Sequence, residues 1–231
     1  MENITSSQFA LGTIISKFNV PKDMVEEINL SYDQAKNLTP HNDHLAGKIA
    51  NEFDVKNILS KKVNNFFLLC FKDYLKQICK DLWHIELHAV WINDMKENEY
   101  NPFHYHTGPT DLGLSSVLFL KKPKSYGIEY SNPNTPANGR LEFGGGQQDP
   151  LSISQLRVDA DVGELFIFPY TLLHGVYPFN GTNETRRTMS YNCSLHAPEY
   201  IKSIPFKILK SYVDAVSKKE IENVKILNNK D

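Results

Sequence analysis

The chain has 231 residues, 41% of them hydrophobic and 23% charged, with a formal net charge of −2. That is enough chain for one sizeable core and an ordinary globular composition. Without a Lys/Arg cluster interleaved with aromatics there is no electrostatic footprint for nucleic acid, and no apolar run approaches a membrane span. The opening residues lack the basic and apolar regions of a signal peptide, and Cys70, Cys79 and Cys193 form no close pair. A cytoplasmic protein with reduced thiols is therefore expected.

In chain order, residues 6–20 predict a strand or two, and Pro21 opens a short helix, where its missing N–H costs nothing. From His44 to Leu82 apolar residues recur at helical spacing (Ile49, Phe53, Ile58, Val63, Phe66, Phe67, Cys70, Tyr74, Leu75, Ile78). This predicts two helices, the second long, with Cys70 and Cys79 as small core residues. From Ile85 the pattern changes to short strands at 85–93, 115–120, 140–143, 155–158, 164–168 and 186–194, separated by Pro and Gly clusters. The Lys-rich tail, Tyr200–Asp231, again has helical spacing. The expected architecture is α+β: one domain with mainly helical support in 1–84, a β-sandwich or barrel in 85–195 and a helical extension in 196–231.

Chemistry concentrates in His104-Tyr105-His106 and in His174, which follows Gly163-Glu-Leu-Phe-Ile-Phe-Pro169. Residues two apart on a strand share a face, so His104 and His106 can aim at one point, and a second strand can bring His174 to it. Imidazole suits iron, zinc, copper and nickel, and a partly filled coordination shell leaves room for substrate or O₂. Asp111, five residues past His106, can serve as a carboxylate ligand, can orient a ligating imidazole, or can simply form the turn in Gly-Pro-Thr-Asp. The segment 186–194 alternates: Arg186, Thr188, Ser190 and Asn192 share one face, Arg187, Met189, Tyr191 and Cys193 the other. An arginine on an inward polar face implies an anion, because its fork matches a carboxylate. If the polar face is instead the solvated one, Arg187 points inward.

The segments Trp91-Ile-Asn93, Glu99-Tyr-Asn-Pro-Phe-His-Tyr-His106, Leu114–Leu120, Gly163–Pro169, His174-Gly-Val-Tyr-Pro178 and Arg186–Asn192, in this order, resemble the 2-oxoglutarate/Fe(II)-dependent oxygenases. The likeness is to the group related to prolyl hydroxylases that is common in marine phages and bacteria, and it covers residues 85–195. The resemblance implies a double-stranded β-helix (jelly-roll), Fe(II), and 2-oxoglutarate and O₂ as co-substrates. The reaction it implies is decarboxylation to succinate and CO₂ coupled to C–H hydroxylation, with a peptidyl proline among the candidate substrates. In the wider superfamily the first two ligands are His-x-Asp/Glu. Here His106 stands at the carboxylate position, so the implied metal set is His104, His106 and His174, with Asp111 as the alternative third ligand. Arg186 falls on the 2-oxoglutarate arginine and Thr188 on its hydroxyl partner.

Two other readings predict different chemistry. A cupin-type metal enzyme, with Asp111 as a ligand, has no need of 2-oxoglutarate or of Arg186. A β-sandwich binding or structural protein takes up no metal at all. The partner expected under the first reading is a small-molecule or peptidyl substrate; the apolar helical segments leave the oligomeric state open.

Overall fold

A computed structural model describes residues 12–42, 47–80, 82–110, 112–145 and 153–198. Two antiparallel sheets face each other. The larger has the order β1 (Ser16–Asn19), β8 (Glu164–Pro169), β5 (Gly113–Lys121), β10 (Arg186–His196), β3 (His84–Met95) and β2 (Asn51–Asp54). The smaller has the order β4 (Asn101–His104), β9 (Leu173–Val176), β6 (Leu141–Gly144) and β7 (Gln155–Val158). This is the jelly-roll layout of the α+β class expected from the sequence. The helices α1 (Lys22–Gln34) and α2 (Lys61–Gln77) cover the outer face of the large sheet.

Each helix forms for local reasons and is held by burial. Pro21 precedes the first turn of α1, and Met24, Val25, Ile28 and Tyr32 supply its buried stripe. Ser60 caps α2 by accepting the Val63 N–H at 3.2 Å, a bond that typically stabilises a helix by about 1 kcal/mol. Val63, Phe67, Cys70, Phe71, Tyr74 and Leu75 then point at the sheet.

Period-2 alternation sorts the large sheet into two faces. Val90 and Ile92, Leu118 and Leu120, Leu165 and Ile167, and Met189, Tyr191 and Cys193 pack on the helices. On the inner face, Val117, Phe119, Phe166 and Phe168 join Leu141 and Phe143 of the small sheet in a second apolar cluster. The inner residues of β3 and β10 are different in kind: Trp91, Asn93, Arg186, Thr188, Ser190 and Asn192, all buried. Half of the sandwich interior is thus oily and half is polar.

Several expectations need correction. The first of the two helices expected between His44 and Leu82 does not form over Asn51–Asp54; that segment is β2, pairing Phe53 with Ile92 and Glu52 with Asn93 at the sheet edge. The spacing of Ile49 and Phe53 fits a helix, but an edge strand reaching a buried neighbour overrides it. Cys79 is not core: α2 ends at Gln77, and Cys79 is exposed with φ of 56°. β4 and β9 are the two facing strands expected to carry the histidines, but β4 ends at His104, so His106 lies beyond the strand on which it was expected. Asp111, the first part of the 6–20 segment and the tail 200–231 lie outside the described residues.

Candidate active site

β4 and β9 pair so that His104 stands directly opposite His174, with ring centroids 4.3 Å apart. His106 lies two residues beyond the end of β4, so strand alternation is not what aims it. Its backbone N–H donates to the Tyr170 carbonyl at 3.0 Å, which ties the loop after β4 to the end of β8. Tyr170 is buried, its hydroxyl hydrogen-bonds the His88 imidazole, and its own N–H donates to Gly113 O at 3.0 Å. Gly113 is required there, because a Cβ would stand 2.0 Å from the Tyr170 ring. The donor atoms of His104, His106 and His174 fall within 4.8 Å of one another.

The protonation of these rings can be read from their partners. His104 Nδ1 is 2.8 Å from Pro102 O, and His174 Nδ1 is 2.9 Å from Leu172 O. A carbonyl only accepts, so each Nδ1 carries the proton and each Nε2 presents a lone pair. Burial, with repulsion among the rings, pushes His106 down to about 2, and burial and His104 push His174 to about 3. Burial also lowers His104. All three are neutral at neutral pH, the form in which imidazole binds a metal. Lone pairs converging from a buried, uncharged His cluster are a donor set suited to a divalent cation such as Fe(II).

The rings border a narrow cleft of about 30 Å³ whose wall includes Trp91, Asn93, Asn101, Arg186, Thr188 and Ser190. Arg186 is 2% exposed and has no carboxylate partner among the described residues. Its Nε donates to Gly139 O at 2.8 Å, its guanidinium lies 4.7 Å from the Phe119 ring centre, and Tyr126 hydrogen-bonds it. Its Nη2 is buried without a partner among the described residues, as are Trp91 Nε1, Asn93 Oδ1 and Asn101 Oδ1. An unpaired buried guanidinium is costly, and burial lowers its affinity for its proton. A dicarboxylate in the cleft would remove that cost at Nη2. The chain's residues therefore fit both an imidazole-bound metal and an anionic organic acid.

Arg187 faces the other way. It makes a two-pronged bond to Asp94 (2.6 and 2.8 Å), reaches Asp33 at 2.8 Å and Asn29 at 3.0 Å, and lies over Tyr32. Among residues not singled out from the sequence, Asn101 and Glu52 stand out. Glu52 is 1% exposed with one carboxylate oxygen unpartnered among the described residues. Asn51-Glu-Phe-Asp54 has a single apolar residue and no alternation, so nothing local in the sequence signals Glu52.

Residues 89–192, the span that holds every residue of this cleft except Ile49, match the family described as "Putative 2OG-Fe(II) oxygenase". That segment is a 2-oxoglutarate/Fe(II)-dependent oxygenase core. Among solved structures, HygX from Streptomyces hygroscopicus with nickel and 2-oxoglutarate bound is similar at 12% identity and a TM-score of 0.52, covering 79% of this chain and 83% of that one. HygX with nickel, 2-oxoglutarate and hygromycin B bound gives 12% identity and a TM-score of 0.50 over 79% and 82%. A Pseudomonas putida prolyl-4-hydroxylase gives 15% identity and a TM-score of 0.49 over 79% and 92%. At these identities the likeness to solved structures is one of fold. No curated protein sequence matches the chain.

Proposed function

We propose that this oxygenase binds Fe(II) through His104, His106 and His174 and anchors the distal carboxylate of 2-oxoglutarate on Arg186 and Thr188. The observation that carries the reading is the pairing, on one cleft, of three clustered neutral imidazoles with a buried arginine that lacks an acid among the described residues. When bound, iron with 2-oxoglutarate and O₂ supplies the oxidant for C–H hydroxylation, with succinate and CO₂ as co-products.

The chain's own residues have narrower tasks. Arg186, held from behind by Gly139 O and Phe119, offers Nη2 to the carboxylate and fixes the direction from which the keto acid enters. Thr188 and Ser190, on the same face of β10, add hydroxyls along that path. The apolar cluster of Phe119, Phe143, Phe166 and Phe168 packs behind the cleft, with Phe119 against Arg186 and Phe143 and Phe168 against His174.

The substrate is proposed to be apolar at its reacting end, a peptidyl proline being the first candidate to try. Supporting this, a shallow apolar groove formed by Tyr100, Pro102, Phe103, Tyr177 and Pro178 shares Asn101, Gly175 and Val176 with the cleft. The experiment is anaerobic addition of Fe(II) and 2-oxoglutarate to metal-free protein. A weak visible charge-transfer band that needs both additions is the expected result. Metal uptake without that band would instead support a cupin-like enzyme, and no uptake would defeat the metal reading.

A further inference from the structure

Two of the three histidines have their tautomer set by a carbonyl; the third does not. His106 Nε2 lies 3.0 Å from His174 Nε2, and its Nδ1 lies 3.5 Å from Asn192 Nδ2. If the His106 proton sits on Nε2, it is spent on His174 and the metal position is closed. If it sits on Nδ1, Nε2 is a third lone pair beside those of His104 and His174.

Asn192 is the neighbour that can decide between these states. It is 4% exposed, and its Oδ1 has no hydrogen-bond partner among the described residues. A half-turn of the amide exchanges its N and O, bringing Oδ1 to His106 Nδ1. That rotation gives the Nδ1 proton an acceptor and frees Nε2, with the amide nitrogen moving to the position Oδ1 held. The strand is also irregular at this position. β10 shifts register against β3 between Asn192 and Cys193, leaving His88 as the extra residue on β3. Bulges of this kind re-aim side chains beside active sites.

We infer that Asn192 is a positioning residue whose side-chain oxygen takes the Nδ1 proton of His106 and so turns the Nε2 lone pair toward the metal. This rests on the three-histidine reading above. Outer partners that fix a ligand's tautomer typically change metal affinity by about 10–100-fold.

The test is zinc and cobalt binding to the full chain by titration, with no turnover involved. Asn192→Leu, which keeps the volume and removes the acceptor, should bind about 10–100-fold more weakly while keeping its far-ultraviolet spectrum. Asn192→Asp, which keeps an acceptor oxygen, should return to within about threefold of wild type. In zinc-loaded protein with ¹⁵N-labelled histidine, His106 should carry its proton on Nδ1. Should leucine disturb the strand, Asn192→Ala is read the same way. Binding by Asn192→Leu equal to wild type would overturn the inference while leaving the metal reading intact. So would an aspartate variant as weak as the leucine one, since that marks packing as the cause. A wild-type chain that takes up neither metal, beside an inert His174→Ala, would overturn the metal reading and this inference together.

Discussion

Arg186 and Arg187 are neighbours on one strand, both at most 5% exposed, and they live in opposite electrostatic worlds. Arg187, on the helix face, is neutralised by Asp94 and Asp33. Arg186, on the inner face, meets a carbonyl, a phenol and a phenyl ring, and one of its nitrogens has no partner among the described residues. A buried ion pair that is complete within the chain acts on stability. One that is half complete leaves a buried charge uncompensated, which is costly. The same contrast holds for the sandwich interior, where the phenylalanine-rich side holds the sheets together and the polar side of β3 and β10 forms the cleft.

The largest effect expected falls on the metal. His174→Ala removes the ring that both other histidines approach, and iron or cobalt binding should fall by more than about 100-fold with the fold retained. Unchanged metal content by elemental analysis would count decisively against the set.

The two arginines then separate by sign. Arg187→Met strands Asp94 and should cost about 3 kcal/mol in urea unfolding, while 2-oxoglutarate affinity stays within about threefold. Arg186→Met removes an uncompensated buried cation, so the ligand-free protein should be no less stable than wild type. Its 2-oxoglutarate affinity should drop about 100-fold by titration under anaerobic conditions. The reverse pattern would mean that the inner and outer faces of β10 have been exchanged.

A smaller effect tests how the loop carrying His106 is held. Gly113→Ala puts a Cβ into the Tyr170 ring and should cost about 1–3 kcal/mol. Because Tyr170 O holds the His106 N–H, metal binding should weaken as well. A stability loss with unaltered metal affinity would show that His106 is positioned without Tyr170.

What the sequence made legible follows from what is local. Alternation along β10 sorted that strand into two faces, Pro21 marked the start of α1, and the apolar spacing from Val63 to Leu75 marked α2. Ordered motifs from Trp91 to Asn192 pointed to the oxygenase core. Pairing partners were not legible, and they account for the differences. β2 is a strand because β3 is beside it, and nothing local shows that β4 stops at His104, short of His106. His106 reaches the cluster through a carbonyl 64 positions further along the chain rather than through strand alternation. Cys79 failed for a different reason: a helical pattern does not show where a helix stops.

Glu52 provides the finest test of the polar half. It pairs across the sheet with Asn93, which pairs in turn with Thr188, so it sits at the outer end of the row that begins in the cleft. Burial, with repulsion from Glu99, raises its carboxyl from 4.5 to about 7. The folded protein thus holds this proton to higher pH than the unfolded chain does. Its contribution is fully present below about pH 4.5 and is lost as pH rises through about 7. Glu52→Gln keeps the neutral shape at every pH. It should match wild type within about 0.5 kcal/mol at pH 4 and exceed it by about 1–3 kcal/mol at pH 8, measured by urea unfolding. Equal destabilisation at both pH values would show that Glu52 is held as a charged partner. The polar half would then be complete at that end, and Arg186 would be left as the residue waiting for its counter-charge.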